Sequence, residues 1–246
     1  MTARLYFLSL SHPSHAARLM LERKGIEHKL IAIPPGLQGP VVRAAGFPGH
    51  TVPALRIDGR RIQGSRKISR YLDGLVPDPP LFPRDPERRR AVEAAERWGD
   101  ETLQPLPRRL FRWGCAKHDY MRRWIASDVM GIPAPGLIAW ANAPIARTLA
   151  RIADARDDAV RGDIAALPDL IAHADTLIAD GTIGGGEPNA ADFQIATTVR
   201  VLLALEDLRS LVEGHPCADL GRRILPRYAE PIPAFLPREW LPSSPR

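Results

Sequence analysis

The chain has 246 residues, of which 45% are hydrophobic and 25% charged, and its formal net charge is +6. This composition is typical of a globular protein, and the length allows one large domain or two small ones with a sizeable core. The N-terminal segment lacks a basic stretch followed by a long apolar run, and no apolar run approaches the ~20 residues that cross a bilayer. We therefore expect no signal peptide, no membrane span and no membrane partner.

The N-terminal part of the chain alternates strand and helix signals up to a proline-rich stretch. The predicted elements are a strand over 4–10, a helix over 14–25 capped by Ser14, a strand over 28–33, a helical turn within the loop 37–50, strands over 54–57 and 61–62 joined by Asp58-Gly59, and a helix from Ser65 to about Asp73. Hydrophobic runs, the Asp-Gly turn and serine at helix starts carry these assignments. Residues 1–76 are therefore predicted to form a compact α/β domain.

Beyond that domain no strand pattern recurs. We predict that residues 77–85 form a stiff proline-rich linker, that 86–225 form an all-helical domain, and that 226–246 form a proline-rich tail that either wraps the surface or is disordered. Asp85-Pro86 is a helix start, while Pro105 and Pro107 must kink or end the helix that follows. Further helices are predicted over about 118–131, 136–160, 162–180, 189–206 and 216–225. The fold class is thus α/β followed by all-α.

Two features raise the question of nucleic acid or metal binding. Arginine pairs at 108–109 and 122–123, with aromatic residues between them, fit either a basic groove or two amphipathic helices with solvated faces. Acidic residues mixed into this part of the chain favour the second interpretation, so no nucleic acid partner is expected, although a basic protein favours anionic small ligands. His12 and His15 lack a third ligand of comparable weight and are expected at the surface or as capping groups, so no metal is expected.

The cysteines and several aromatic residues do not by themselves identify a reaction. Cys115 and Cys217 lie far apart and outside any CxxC spacing, which predicts free thiols and a cytoplasmic protein. Five aromatic residues either line an apolar acceptor pocket between the domains or belong to the core: Trp98, Phe111, Trp113, Trp124 and Trp140. Helical periodicity cannot separate these alternatives.

A peptide-binding edge is predicted at Val52-Pro53, where a proline opens a strand. If this bond is cis, the backbone N–H and C=O of Val52 point outward and can pair with another peptide as an added strand. Ser11 lies where the first strand gives way to the first helix, so its hydroxyl can donate to an anion at the helix N-terminus. The alternative is that Ser11 is only a turn or capping residue.

Short motifs in both halves together resemble a known family. They are Leu5-Tyr6, Ser11-x-Pro13-Ser14, Arg18, Leu21, Lys24-Gly25-Ile26, Pro48-Gly49, Val52-Pro53-x-Leu55, Ser65-x-x-Ile68-x-x-Tyr71-Leu72 and Pro188-Asn189-Ala190-Ala191-Asp192-Phe193. This set is similar to the cytosolic glutathione S-transferases, in particular the serine-type, theta- and delta-like members, of which the chain is a divergent relative. The resemblance implies a thioredoxin-like N-terminal domain, an all-helical C-terminal domain, a homodimer and a role in detoxification.

The same resemblance implies a role for each site residue. Ser11 would donate a hydrogen bond to the sulfur of glutathione, and Val52, fixed by cis Pro53, would pair with its cysteinyl unit. Ser65 would bind the γ-glutamyl carboxylate, with Arg66 or Lys67 adding charge. Gly64 stands where the family usually has Glu or Gln. Gln63 is one position off and would point to the other side of an extended strand.

The expected function is therefore an enzyme that adds the thiolate of glutathione, or of a related low-molecular-weight thiol, to an electrophilic hydrophobic small molecule. Glutathione is the cosubstrate, and the absence of a cysteine at position 11 argues against disulfide reduction. Gly64 supports the alternative, a non-catalytic binding or interaction protein that kept the scaffold and lost the thiol site.

Overall fold

A computed structural model describes residues 2–229 and 231–242 of the chain, so the first residue of the predicted domain 1–76 and part of the predicted tail lie outside the described residues. The N-terminal domain is built on a four-stranded sheet of β1 (Ala3–Phe7), β2 (His28–Ala32), β3 (Ala54–Ile57) and β4 (Arg60–Gln63). The strand order is β2-β1-β3-β4, with β2 parallel to β1 and the other pairs antiparallel.

The register of the sheet follows from its apolar positions. Leu5 pairs with Leu30 on one side and with Leu55 on the other, and both Leu5 and Leu55 are fully buried. The β3–β4 turn has positive φ at both Asp58 (43°) and Gly59 (83°), the conformation that two-residue hairpins favour. The predicted hairpin is confirmed.

Three helices complete this domain: α1 (His12–Arg23), α2 (Gln38–Ala44) and α3 (Ser65–Leu75). The predicted capping role of Ser14 is wrong, because α1 begins at His12 and Ser11 occupies the capping position. Pro13 explains the earlier start, since proline fits the first turn, where its missing N–H has no partner to lose. The thioredoxin-like fold expected for this domain is confirmed.

The C-terminal region is helical, as expected. It contains α4 (Pro86–Trp98), α5 (Pro105–Lys117), α6 (Asp119–Trp124), α7 (Pro135–Ala141), α8 (Ala143–Ile152), α9 (Asp157–Ala179), α10 (Ala190–Ala204), α11 (Arg209–Val212) and α12 (Pro216–Ile224), with π-helical segments at Gly99–Leu103 and Ile125–Val129 and a 3-10 turn at Arg238–Trp240. Every residue of α10 is buried, so this helix is the centre of the domain, and it packs against α1, α4 and α12. No helix within the described ranges is both long and apolar enough to cross a bilayer.

Two predicted boundaries in this region differ from the structure. The single helix expected over 136–160 is wrong: α7 ends at Ala141, and Pro144 lies in the first turn of α8, where it cannot donate to the preceding turn. A second break precedes α9, where Asp154 has a positive φ of 51°. The break expected near Pro105 is confirmed, because α5 begins at that residue after a π-helical segment.

The capping motif predicted at the start of α10 is confirmed. The Asn189 side chain accepts hydrogen bonds from the N–H groups of Ala191 (2.9 Å) and Asp192 (3.2 Å), and Asp192 accepts from the N–H of Asn189 (2.8 Å). The second oxygen of Asp192 accepts from the N–H of Gly184 at 2.6 Å. These bonds satisfy buried N–H groups at the start of the most buried helix.

The described part of the C-terminal tail packs against the helical domain, and Ile232, Phe235 and Leu236 are buried there. Ile232 forms a bridge with Leu205, and the ring of Phe235 lies where a side chain at Gly114 would need to be, with an ideal Cβ there only 2.8 Å from Phe235 Cδ2. The tail therefore packs on both α10 and α5.

Candidate functional site

A cleft of about 590 Å³ lies between the two domains. Its thioredoxin-like side is formed by the loop before α1, the loop after β2, the start of β3 and the start of α3. Its helical side is formed by α5, α8 and the segment between α6 and α7. The predicted site residues that line this cleft are Ser11, Val52, Pro53, Gly64 and Ser65.

Ser11 presents its hydroxyl at the positive end of α1. Its backbone C=O accepts from the N–H groups of Ser14 (2.9 Å) and His15 (3.1 Å), as a residue before a helix does. Its side chain makes no capping hydrogen bond. The hydroxyl is therefore available to a ligand in the cleft, and the helix dipole favours negative charge beside it.

Three buried or partly buried contacts, none of them evident from the sequence, hold the loop that carries Ser11. His15 Nε2 lies 2.7 Å from the Ser9 carbonyl oxygen, and the Tyr228 hydroxyl donates to the Leu10 carbonyl oxygen at 2.8 Å. His12 Nδ1 lies 3.0 Å from the Thr198 hydroxyl on α10. The loop is thus fixed by its own helix, by the helical domain and by the tail.

Both histidines are buried, which corrects their expected surface or capping role. His12 is 5% exposed and His15 9% exposed. Burial lowers the pKa of His12 well below its usual value and lowers the pKa of His15 to about 4. Both rings are therefore neutral at neutral pH, and they act as hydrogen-bonding groups inside the fold. Among the described residues no group of three or more His, Cys, Asp or Glu side chains is arranged to hold a metal ion.

The peptide bond between Val52 and Pro53 is cis, as predicted. Pairing of β1 with β3 stops at Ala54, and within the described residues neither the N–H nor the C=O of Val52 has a hydrogen-bond partner. Gln63 braces this loop from the other side, accepting from the Gly49 N–H (2.9 Å) and donating to the Thr51 carbonyl (2.7 Å). An open peptide edge thus faces the cleft.

The start of α3 supplies unpaired N–H groups to the same cleft. Gly64 precedes the helix with φ 94°, a conformation that favours glycine, and an ideal Cβ there would meet no atom within 4 Å. Ser65 is the first residue of the helix and is 3% exposed. The N-terminus of α3 and the Ser65 hydroxyl form a region suited to a carboxylate.

Arg66, the remaining predicted ligand, does not line the cleft. Its guanidinium lies 2.6 Å from Glu101 Oε1 and 3.7 Å from Asp100 Oδ2. Both acids belong to the π-helical segment after α4. Arg66 therefore links the thioredoxin-like domain to the helical domain at the edge of the cleft.

The helical side of the cleft combines apolar residues with arginines. Of the aromatic residues considered above, Phe111 lines the cleft, whereas Trp113 is core and Trp140 is 76% exposed. The Trp113 indole N–H donates to Asp157 at 2.9 Å. The apolar lining of this side comprises Ile125, Ala126, Met130, Ile132, Ile138, Ile145, Ala146 and Leu149.

Arg108 and Arg112 also line the cleft, and residue-by-residue inspection of the sequence missed them as a pair. They lie four residues apart on α5 and therefore on one face of that helix. Arg108 remains accessible to solvent because it projects into the open cleft, yet burial by surrounding protein lowers its pKa. Their spacing of four residues was the feature of the sequence that could have identified them as a pair on one helix face.

Cys115 lies one turn further along α5 and is a poor nucleophile. Its thiol is 8% exposed, and burial raises its pKa to about 12. A thiol with this pKa is protonated at neutral pH, and the thiolate is the reactive form. Any sulfur chemistry in the cleft must therefore come from a bound thiol.

Comparison with known proteins agrees with this architecture. Residues 5–80 match the glutathione S-transferase N-terminal domain family. The structure is similar to a glutathione S-transferase from Sinorhizobium meliloti (TM-score 0.60, 21% identity, covering 92% of this chain and 89% of that one). It is also similar to one from Methylobacterium radiotolerans in complex with glutathione sulfonate (TM-score 0.54, 20% identity, covering 91% and 90%).

The chain therefore carries a glutathione S-transferase N-terminal domain, and its overall fold is that of the glutathione S-transferases. Among curated proteins it is similar to the maleylacetoacetate isomerase of Rattus norvegicus, with 34% identity over 106 residues. That match covers 42% of this chain and spans about half of the rat protein, 49% of its length.

Proposed function

We propose that this protein binds glutathione, or a related low-molecular-weight thiol, in the interdomain cleft and transfers its thiolate to an electrophile. One observation carries the proposal. A free hydroxyl at Ser11, an unpaired peptide edge at Val52 and the N-terminus of α3 at Ser65 all face the same cleft. These groups match a thiol, a peptide backbone and a carboxylate, which are the recognisable parts of glutathione.

Ser11 is proposed as the catalytic residue, which makes the protein a serine-type member of the family. A free cysteine thiol has a pKa of about 8.5, and each unit of depression corresponds to about 1.36 kcal/mol. A hydrogen bond to a charged group contributes roughly 1.5–3 kcal/mol, and a helix N-terminus adds to it. One hydroxyl with the α1 dipole is therefore sufficient to make the bound thiol largely thiolate at neutral pH.

The reaction itself needs no further group from the protein. The thiolate sulfur supplies the electron pair for a new C–S bond at the electrophilic carbon. On an aryl halide, the halide leaves with its bonding pair. Holding both reactants in one cleft converts a bimolecular step into an effectively unimolecular one.

The curated relative suggests a second outcome of the same chemistry. The name of that relative is that of an isomerase. A thiolate that adds to a conjugated cis double bond forms a C–S bond while the π electron pair moves onto the conjugated acceptor, which leaves a single bond about which the adduct rotates. Elimination of the thiolate then regenerates the double bond in the trans form and returns the thiol. Analysis of the products separates conjugation, which consumes glutathione, from isomerisation, which does not.

The alternative is a non-catalytic binding or interaction protein, and Gly64 is the residue that favours it. With no side chain at this position, the γ-glutamyl end of glutathione would depend on Ser65, the α3 N–H groups and neighbouring charge. Arg66 is already paired with Glu101, so its proposed role as a glutathione ligand would require that pair to open.

Thermal melting with glutathione separates these functions. A ligand that binds only the folded state raises the melting temperature by mass action. We expect the melting temperature to increase with glutathione concentration in the millimolar range, and we expect the protein to turn over a chlorodinitrobenzene. An increase without turnover of any electrophile supports the binding protein, and no increase with glutathione or another small thiol refutes the proposed site.

The remaining expectations from the sequence and from the resemblance extend this proposal. They are a homodimer, a cytoplasmic location, a role in detoxification, and small-molecule rather than nucleic acid or membrane partners. Size-exclusion chromatography with light scattering measures the first of these directly.

A further inference from the structure

Two arginines on α5 give the helical side of the cleft a strong positive charge. Arg108 and Arg112 lie one turn apart on the same helix face, and both line the cleft together with Phe111 and Leu149. Like charges at this spacing destabilise a helix slightly, and the partial burial of Arg112 adds a desolvation cost. The pair is therefore unfavourable for the fold unless something else offsets it.

Among the described residues no acid forms an ion pair with either arginine, although the nearby Asp100 carboxylate partly offsets the charge of Arg108. Arg108 has no hydrogen bond or ion pair there, and Arg112 has one long hydrogen bond, 3.5 Å from Nη1 to the Leu149 carbonyl oxygen. Burial lowers the pKa of both guanidinium groups; the charge of Asp100 opposes this at Arg108, whereas the charge of Arg108 lowers the pKa of Arg112 further. Both groups remain cationic at neutral pH because arginine starts from a very high pKa.

Two neighbouring arginines, in contrast, have close hydrogen-bond or ion-pair partners. Arg109, adjacent on α5, pairs with Asp163 at 2.6 Å. Arg122 lines the cleft as well, but its guanidinium donates to three carbonyl oxygens, those of Ala139 (2.9 Å), Cys115 (2.5 Å) and His118 (3.1 Å). These two side chains have structural partners, whereas Arg108 and Arg112 do not have equivalent ones.

The charge of the cleft lining is unbalanced as a result. Its charged residues are Asp100, Arg108, Arg112 and Arg122. Asp100, the single acid among these residues, lies 3.7 Å from Arg66 and also acts on Arg108, so its charge is shared between the two arginines. Apolar side chains of α7, α8 and the segment after α6 surround the rest of this side. Within the described residues the cleft therefore combines apolar walls with two cations that form no ion pair with a carboxylate, and Arg112 is the less compensated of the two.

We infer that the electrophile taken by this site carries a carboxylate, which Arg112 binds with Arg108 beside it, while the apolar part of the electrophile packs against Phe111 and Leu149. The inference rests on the proposed function, because it assigns the second substrate of the same cleft. Arg112 is the principal anchor because its one hydrogen bond is to α8, whereas the charge of Arg108 is partly offset by Asp100. Guanidinium groups suit this task because they bind carboxylates through two parallel hydrogen bonds.

Glutathione also carries carboxylates, so the experiment must separate the two ligands. The probes are two S-aryl glutathione conjugates made from chlorodinitrobenzoate and from its methyl ester. Both contain the same tripeptide and the same ring, and they differ in the charge of one ring substituent, to which the ester adds a single methyl group. Calorimetric Kd values for the two conjugates and for glutathione alone therefore isolate the contribution of the electrophile's carboxylate.

We expect the wild-type protein to bind the carboxylate conjugate roughly tenfold more tightly than the ester conjugate. Arg112→Gln should remove most of this preference and Arg108→Gln part of it, while both variants bind glutathione alone as the wild type does. Arg97→Gln is the matched control, since Arg97 is exposed on α4 and does not line the cleft. Thermal melting of each variant verifies that it is folded.

Equal affinity of the wild type for the two conjugates would overturn the inference, as would an unchanged preference in Arg112→Gln. Loss of affinity for glutathione alone in either variant would also overturn it, because the arginines would then hold the tripeptide. In each of these cases the proposed function stands. If neither conjugate nor glutathione binds, the proposed function fails, and equal binding of dinitrobenzoate and its methyl ester as free probes would then reject the carboxylate site as well.

Discussion

The Tyr228 hydroxyl donates a hydrogen bond to the Leu10 carbonyl oxygen at 2.8 Å, joining the C-terminal tail to the residue before Ser11. The two residues are separated by 218 positions in sequence. Tyr228 also packs edge-to-face against His15, whose imidazole reaches the Ser9 carbonyl oxygen. A residue of the tail therefore helps to fix the position of the proposed catalytic hydroxyl.

Tyr228→Phe should weaken turnover more than binding. Loss of the hydroxyl leaves the Leu10 carbonyl unsatisfied, at a cost of about 1 kcal/mol in the free energy of unfolding. We expect kcat to fall several-fold with KM for glutathione nearly unchanged, because Ser11 is displaced relative to the sulfur.

Tyr120→Phe is the control for this variant. The Tyr120 hydroxyl also donates to the tail, at the Ala234 carbonyl oxygen and at the same distance of 2.8 Å, but Tyr120 does not line the cleft. A fall in kcat of the same size in both variants would attribute the effect to general loosening of the tail, and Tyr228 would have no positioning role.

The buried His15 should make stability depend on pH. Its pKa falls from 6.5 to about 4 on folding, chiefly through burial and also through the charge of Arg18, although its bond to the Ser9 carbonyl opposes this. In the window from 6.5 to 4 the unfolded state therefore binds more protons, so stability is complete above this window and is lost as the pH falls through it. The shift corresponds to roughly 3 kcal/mol.

His15→Gln keeps a side-chain donor but removes the titration, so it should flatten this part of the profile. Urea unfolding at a series of pH values measures the effect, and His12 leaves a residual slope of the same sign. His50→Gln, at an exposed histidine, is the control. A wild-type profile that is flat or that rises towards acid pH would contradict the buried neutral ring.

Lys24 should be a large contributor to stability. Its Nζ is fully buried and donates to Asp73 Oδ1 (3.0 Å) and to the carbonyl oxygens of Val76 and Pro79 (both 2.7 Å), so it holds α1, α3 and the linker together. Lys24→Met removes the cation and leaves the largely buried Asp73 carboxylate without its lysine partner. We expect the free energy of unfolding to fall by about 3–5 kcal/mol.

Urea unfolding of Lys24→Met and of Lys29→Met provides the comparison, since Lys29 is exposed on β2. The control should change stability by less than about 0.5 kcal/mol. Equal small losses in the two variants would mean that the buried cation costs as much as it contributes.

The sequence predicted the elements whose causes are local. The Asp58-Gly59 hairpin, the Asn189–Asp192 cap and the strand that begins after Pro53 depend on neighbouring residues, and the structure contains all three. The break at Asn142 was missed because apolar residues continue on both sides of it, and only Pro144 indicated a new helix.

Part of the site was also predicted, because the positions of those residues depend on local sequence. Ser11, Val52 and Ser65 lie at element boundaries, where the sequence shows unpaired backbone groups, and all three line the cleft. Arg112 and Tyr228 could not be placed from sequence, because their positions depend on how the helical domain and the tail dock. Docking depends on long-range packing that local periodicity does not encode.

The most direct test of the account is a titration of the glutathione thiol in its complexes with the wild-type protein and with Ser11→Ala, followed by the ultraviolet absorbance of the thiolate. Ser9→Ala, an exposed serine in the same loop, is the control. The account predicts that the bound thiol has a pKa below its free value in the wild type and in Ser9→Ala. In Ser11→Ala this pKa should be higher by at least about one unit, or about 1.36 kcal/mol, with melting temperature unchanged and most turnover lost. An identical thiol pKa in wild type and Ser11→Ala would contradict the role assigned to the hydroxyl.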